Sequence, residues 1–261
     1  MQKLILVLYL SLLVTFTAKS QLSIMDDEYT HNCFIGITGG IGLTSYSGLF
    51  VLFGDRVDCE PYTFKSKSGF NSNVLFGLRT ELRISKKFDV YALLLYEERT
   101  AKFEPIDYSG PVSQGIDKPM DAPLETLYLK QILDIKNINI FSISPMVKYK
   151  PFDFDFGILF GPSCAFMVSD DIYSEEFILS PEDFYFKETG KRERDIYSGE
   201  IESKNALVID LKFGLSYGIM LTEKIKLSPE IFYAYPLMNT ASEDDWKISS
   251  IQFLLNLSYG F

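Results

Sequence analysis

The final segment of the chain, Ile248 to Phe261, reads ISSIQFLLNLSYGF, and its side chains alternate between bulky apolar groups and small or polar ones. Successive side chains of a strand point to opposite faces, so a period of two gathers the apolar groups on one side. Leu254 alone interrupts the polar face. This alternation is typical of a strand that contacts lipid outside a barrel and a polar lumen inside it. The apolar face carries Ile251, Phe253, Leu255, Leu257, Tyr259 and Phe261, and the polar face carries Ser250, Gln252, Asn256, Ser258 and Gly260.

Both ends of the chain indicate delivery to a bacterial outer membrane. Tyr259 and the terminal Phe261 resemble the signal that the outer-membrane barrel-assembly machinery reads. Residues 1–20 have a lysine, a short apolar run and small residues before Gln21, which predicts a cleaved secretory signal peptide rather than a membrane helix. We therefore expect a short periplasmic segment over 21–32 and one barrel domain over 33–261.

The same alternation recurs along the rest of the chain, with tight turns and long polar loops in regular succession. This asymmetry predicts an all-β fold, a transmembrane antiparallel up-and-down barrel of eight strands with both termini on the side of the short turns. Leu124 to Lys150 is too long for one crossing, so its first half is expected to project beyond the membrane. A turn at Lys136-Asn137 and another inside 177–200 would instead give ten strands. The three short turns are Ser85–Lys87, Lys150–Asp153 and Thr222–Lys224.

Charged residues share one face of several predicted strands. A charge directed into hydrocarbon costs about 2–4 kcal/mol near the membrane midplane, so these side chains are expected in the lumen. Because an eight-stranded barrel is just filled by side chains, we favour a closed, structural network of ion pairs. A gated pore with these charges at its constriction is the alternative. The predicted lumen network is Arg79, Glu81, Arg83, Lys148, Asp210, Lys212 and Glu230.

Two segments carry weaker patterns. Between Phe88 and Phe103 both faces are apolar, and we assign Tyr91, Leu93 and Leu95 to the lipid side. Residues 169–205 are predicted to be the longest loop, with a hairpin tip at Glu188–Lys191. Its aromatic residues predict either a binding surface for a protein or a glycan, or mutual packing that orders the loop. They are Phe177, Phe184, Tyr185, Phe186 and Tyr197.

Composition argues against several other classes of protein. A net charge of −10 disfavours nucleic acid as a partner, since binding it depends on neutralising phosphates. Cys33, Cys59 and Cys164 are odd in number and widely spaced, which matches neither a disulfide framework nor a zinc site. His31, the single histidine, precedes the first strand, and no base stands beside a nucleophile as hydrolysis would require. We expect no enzyme activity, no metal and no cofactor; a lipid-modifying enzyme is the remote alternative.

The middle of the chain resembles the PorT-like outer-membrane β-barrel family of Bacteroidota. The resemblance runs from Phe141 to Ser169, where an apolar strand with a proline leads to a Lys-Tyr pair, a short turn and a rising strand with Gly-Pro. These features are Pro145, Lys148-Tyr149, Pro151 to Phe154, and Gly161-Pro162-Ser163. The resemblance implies an outer-membrane barrel surrounded by lipid and lipopolysaccharide, and for most members it implies no defined activity. The sequence thus predicts a structural or interaction protein that acts through its outer loops, with a small porin or channel as the alternative.

Overall fold

Eight long strands dominate the computed structural model, which describes residues 32–52, 62–66, 70–111, 116–117, 126–201, 204–241 and 245–261. Short strands accompany them at Leu49–Leu52, Tyr62–Lys65, Ile106–Pro111, Ile116–Asp117, Tyr185–Phe186, Glu193–Gly199 and Ile219–Met220. Within the described residues, no helix is long and apolar enough to cross a membrane. The long strands are β1 (Cys33–Ser47), β2 (Asn71–Arg83), β3 (Phe88–Lys102), β4 (Thr126–Tyr149), β5 (Phe156–Ser180), β6 (Leu207–Tyr217), β7 (Ile225–Pro236) and β8 (Lys247–Gly260).

These eight strands form a closed antiparallel ring. Each pairs with the next along the chain, and β8 returns to β1 with Ile35 opposite Tyr259 and Ser47 opposite Lys247. The ring confirms the eight-stranded up-and-down barrel. Short connections at 84–87, 150–155 and 218–224 lie at the same end as Cys33 and Phe261, hereafter the turn end; the other end is the loop end.

The alternation predicted for the closing strand sorts the side chains of β8 between lumen and exterior. Gln252, Leu254 and Asn256 are at most 4% exposed, whereas Leu255 is 54% exposed. Closing the sheet on itself removes one face from solvent, so even the polar side chains of that face are buried.

The assignment of Tyr91, Leu93 and Leu95 to lipid is wrong. All three are fully buried in the lumen. Their positions have the same parity as three charged residues of β3, and burying those charges inside the ring avoids the cost of placing them in an apolar exterior. The charged residues are Asp89, Glu97 and Arg99; the outward side chains between Asp89 and Glu97 are Val90, Ala92, Leu94 and Tyr96.

A four-stranded projecting sheet extends from the loop end of the ring. It consists of the part of β4 that begins at Thr126 and the part of β5 that ends at Ser180. The short strand Ile106–Pro111 pairs with β4, and Glu193–Gly199 pairs with β5. The first half of β4, which is predicted to project beyond the membrane, extends beyond the ring. The expected loop at 169–205 is shorter than predicted, because residues 169–180 continue β5 and pair with β4. The turn near the expected hairpin tip is closed by a hydrogen bond from Gly190 N to Phe186 O at 2.8 Å.

Two apolar cores order the loop end. The mouth core closes the ring and includes Tyr46, Phe50, Phe64, Phe103, Leu133, Ile138 and Trp246. The tip core lies under the far end of the projecting sheet and consists of Ile116, Leu127, Leu129, Ile178, Phe184 and Phe186.

Candidate functional site

The lumen is filled in layers, which β3 displays from the turn end to the loop end. Its inward side chains begin with a charge and a tyrosine, continue with two leucines, return to two charges and finish in the mouth core. On β8 the inward side chains are polar on both sides of Leu254, which belongs to the same apolar cluster as the two leucines. The inward residues of β3 are Asp89, Tyr91, Leu93, Leu95, Glu97, Arg99 and Ala101.

The first layer is the turn-end charge cluster, in which every ionised side chain has an opposite charge beside it. Glu81 accepts hydrogen bonds from Arg79 and, at 2.6 Å, from Lys226 Nζ. Arg79 Nη1 also lies 3.5 Å from Oε1 of Glu230, whose Oε2 accepts a hydrogen bond of 2.7 Å from the Tyr91 hydroxyl. The cluster comprises Arg79, Glu81, Asp89, Lys148, Lys150, Asp155, Lys226 and Glu230.

Three carboxylates of this cluster are close enough together to suggest a metal site. Oxygen atoms of Glu81, Asp89 and Asp155 lie within 4.8 Å of one another. Two ammonium groups already bridge this set: Lys226 Nζ lies 2.6 Å from Glu81 and 3.2 Å from Asp155, and Lys148 Nζ lies 2.7 Å from Asp155. A divalent cation would have to displace both lysines, so the arrangement fits internal ion pairing.

The apolar plug is the second layer, and it separates the turn-end cluster from the charges nearer the loop end. Leu93 and Leu95 are completely buried in it. Its side chains form one contact cluster across the ring. The plug consists of Leu75, Tyr91, Leu93, Leu95, Met146, Leu159, Phe232 and Leu254.

Charges recur between the plug and the mouth core. Arg99 donates a hydrogen bond to Glu97, and both are buried. Lys212 is 1% exposed, and its Nζ has no hydrogen-bond partner among the described residues. A void of about 10 Å³, about the size of a single water molecule, lies beside Arg99 and Asp210.

The structure distributes the seven residues of the expected lumen network over these layers. Arg79, Glu81, Lys148 and Glu230 lie in the turn-end cluster; Asp210 and Lys212 lie beyond the plug. Arg83 lies at the turn-end rim, its guanidinium carbon 5.5 Å from the Phe34 ring centroid. Sequence reasoning missed Asp89, Glu97, Arg99, Lys150, Asp155 and Lys226. Asp89, Glu97 and Arg99 are all odd-numbered positions of β3 and therefore share one face. This shared face could have identified them as lumen residues from the sequence.

The outer surface of the ring is apolar, and aromatic pairs surround its turn end. Outward side chains are uncharged from Val90 to Tyr96, from Phe141 to Tyr149 and from Leu207 to Tyr217. Ring centroids at the turn end are separated by 5.2 Å in Phe88–Tyr149, 5.0 Å in Phe152–Phe154 and 5.1 Å in Tyr259–Phe261.

The projecting sheet is fixed by polar contacts on its inner face. Arg194 Nε donates to Glu176 at 2.6 Å, and its guanidinium carbon lies 4.4 Å from the centroid of the Phe186 ring. Nearer the ring, Asp170 accepts hydrogen bonds from the backbone of Ile201 and from Lys204 Nζ. Hydrogen bonds to Asp170 and Glu200 raise the pKa of Lys204, and the hydrogen bond from Lys204 lowers the pKa of Glu200.

The aromatic residues of 169–205 divide between packing and exposure. Phe184 and Phe186 are buried in the tip core, and Tyr197 packs against the mouth core. Tyr185 is 43% exposed, and Phe177 lies half-buried on the outer face of the projecting sheet. The outer face therefore retains apolar groups that the internal cores do not use.

Several residues singled out in the sequence lie outside the described part of the chain. These are His31, Cys59 and the expected signal peptide 1–20. Cys164 is a free thiol. Tyr259 and Phe261 are 43% and 53% exposed at the turn end, and Phe261 N donates to Cys33 O at 2.9 Å.

Several solved barrel structures are similar to this one at very low sequence identity. Ail of Yersinia pestis, solved with the heparin analogue sucrose octasulfate, is 9% identical over 88% of this chain and 99% of its own, with a TM-score of 0.35. OprG of Pseudomonas aeruginosa is 12% identical over 89% of this chain and 97% of its own, with a TM-score of 0.37. Neisserial surface protein A is 10% identical over 87% of this chain and 97% of its own, with a TM-score of 0.36. No protein-family model and no curated protein matches the chain. Because these scores are low, the fold assignment rests on the strand pairing described above.

Proposed function

We propose that this chain is an outer-membrane protein in which a closed barrel serves as the anchor and the projecting sheet, on the extracellular side, serves as an interaction surface. The single observation that carries the proposal is the filled lumen: charges, apolar plug and mouth core succeed one another across the whole ring. The proposal places lipid and lipopolysaccharide around the wall and assigns delivery to a signal peptide over 1–20 and to the barrel-assembly machinery, with Tyr259 and Phe261 as its signal. The PorT-like resemblance of Phe141 to Ser169 is consistent with this assignment.

The outer surface supports insertion into a membrane. On β8, the outward residues from Ser249 to Tyr259 cover about 33 Å of strand at 3.3 Å per residue, or about 25 Å of height at a tilt of about 40°. This matches the apolar band of known membrane barrels. The uncharged exterior avoids about 2–4 kcal/mol for each charge that would otherwise face hydrocarbon.

The filled lumen favours an anchor over a porin. A solute would have to break the ion pairs of the turn-end cluster, displace the plug and open the mouth core. Breaking a buried pair by itself costs about 3–5 kcal/mol. Recognition then belongs to the projecting sheet, whose outer face is exposed and whose inner face holds it rigid through the tip core and the Arg194–Glu176 ion pair.

Planar-bilayer recordings test the closed lumen. We expect purified, refolded protein to give no reproducible conductance steps. The double variant Leu93→Gly/Leu95→Gly thins the plug and is expected to conduct, whereas the outward-facing Leu94→Gly is not. Discrete openings of the unmodified protein, altered by the plug variant but unaffected by Leu94→Gly, would establish the channel alternative instead.

Cysteine labelling of whole cells tests the orientation. In a Cys33→Ser/Cys59→Ser/Cys164→Ser background, a membrane-impermeant maleimide should label Thr189→Cys at the tip and leave Ser85→Cys at the turn end unlabelled. Labelling of Ser85→Cys alone would reverse the orientation. Labelling of both positions to the same extent in sealed cells would contradict membrane insertion.

A further inference from the structure

The outer face of the projecting sheet contains an open depression near its tip. Its volume is about 570 Å³, and its apolar side chains are Ile132, Phe177 and Leu179. Lys130 lies opposite Phe177 in the pairing of β4 with β5, and Phe177 lies opposite Glu193 on the neighbouring short strand. Residues directly opposite in an antiparallel pair share a face, so these side chains form one row.

The depression is basic although the chain as a whole is acidic. Lys130, Lys191 and Arg192 border it together with Glu193, in a chain of net charge −10. The Lys191 side chain is 69% exposed, with its Nζ 3.5 Å from Glu193. Arg192 Nη2 donates to the carbonyls of Ile178 and Leu179 at 2.9 Å each, which holds its charge at the rim.

Its position puts the depression beyond the reach of acyl chains in the same membrane. The exposed carboxylate of Glu98 lies opposite Asn139 on β4 and marks the upper limit of the uncharged wall. About 30 Å of extended strand separates Asn139 from Lys130. An occupant that covers Ile132 and Leu179 must therefore approach from outside the lipid layer.

We propose that this depression binds a partner protein through an acidic segment that carries large apolar side chains. The assignment rests on the proposed function, which makes the projecting sheet the interaction surface. Lys130 and Lys191 attract the carboxylates, and Ile132, Phe177 and Leu179 take the apolar groups out of water. Branched aliphatic side chains on the surface favour an apolar side chain over a saccharide, whose hydroxyl groups would lose water without gaining partners there.

Fluorescence anisotropy with a defined peptide tests the proposal. The probe is a fluorescein-labelled peptide of alternating glutamate and phenylalanine, added to the full-length mature protein in nanodiscs of neutral lipid. We expect saturable binding above that of empty nanodiscs, and none with the lysine–phenylalanine or glutamate–serine analogues. Lys191→Glu and Phe177→Ser should each weaken binding at least tenfold. Lys102→Glu makes the same charge change on exposed β3 outside the depression and should bind like the unmodified protein.

Other results would overturn the assignment. Equal binding of all three peptides, or equal loss with Lys102→Glu, would remove the link to the depression. Displacement of the peptide by lipopolysaccharide, with the same loss in Lys191→Glu, would assign the site to a saccharide. A concentration-dependent dimer that Phe177→Ser abolishes would assign it to a second copy of the chain.

The barrel is monitored in the same preparations, because a folded barrel migrates faster on gels before boiling. Peptide binding that fails while this mobility shift and the closed conductance persist refutes the assignment of the depression and leaves the closed anchor standing. A conducting protein that still binds the glutamate–phenylalanine peptide refutes the closed anchor and supports the depression.

Discussion

Neutralising Glu81 should destabilise the barrel more than any exposed charge does. Its carboxylate is fully buried and faces three cations: Arg79, Lys226 at 2.6 Å and Lys148 at 3.6 Å. Glu81→Gln keeps the shape of the side chain and removes the charge, which leaves the cations with Asp155 and Glu230 as counter-ions. Breaking a buried ion pair from one side costs about 3–5 kcal/mol, and we expect a loss of that size in the free energy of unfolding.

A second substitution separates the effect of charge from that of shape. Lys226→Met removes one surplus cation, so the double variant Glu81→Gln/Lys226→Met should lose less stability than the sum of the two single variants. The expected coupling is about 1–3 kcal/mol in the stabilising direction. Glu98→Gln on the exposed side of β3 is the matched control and should change stability by less than about 0.5 kcal/mol.

Equilibrium unfolding in urea, with the protein in lipid vesicles, measures these differences. The single tryptophan, Trp246, is buried in the mouth core and reports unfolding through its emission. Gel mobility before boiling gives an independent midpoint for the ring. A loss below about 1 kcal/mol for Glu81→Gln, or single-variant losses that simply add in the double variant, would refute the ion-pair account of the lumen.

Three further predictions test the wall and the projecting sheet. Gly40→Ala should cost about 3 kcal/mol or more in urea unfolding, because its Cβ would lie 1.9 Å from the Phe253 carbonyl oxygen, whereas Gly39→Ala, with 3.8 Å of room, should unfold like the parent. Leu255→Arg on the outer face should lose about 2–4 kcal/mol in vesicles, and an equal loss with Leu255→Phe would contradict a lipid-facing wall. Arg194→Ala leaves Glu176 buried without its ion-pair partner, so trypsin should cut 181–192 faster while the mobility of the folded barrel is unchanged; unchanged cutting would show that the contact does not hold the sheet.

The barrel itself was predictable because its main signals are local. In the closing strand, side chains alternate with a period of two, which reveals one apolar and one polar face. In β2, Arg79, Glu81 and Arg83 lie on the same face, and because three charges cannot all face lipid, that face must point into the lumen. The continuation of β5 through residues 169–180 was not predictable in this way. These residues are rich in acids and resemble a loop, and only their pairing with β4 makes them a strand.

The wrong phase of β3 has a physical cause that also accounts for the closed lumen. A strand that crosses a water-filled barrel is apolar on one face, whereas a strand that contributes to a plug is apolar on both faces at the height of the plug. Leu93 and Leu95 blur the alternation of β3, and Leu254 interrupts that of β8 at the same layer. Each interruption makes the alternation of its own strand harder to recognise, but together the interruptions lie at one level of the ring. An apolar residue on the polar face, repeated at one height in several strands, therefore indicates a barrel that is shut, and in this chain it argues for an anchor before any charge is considered.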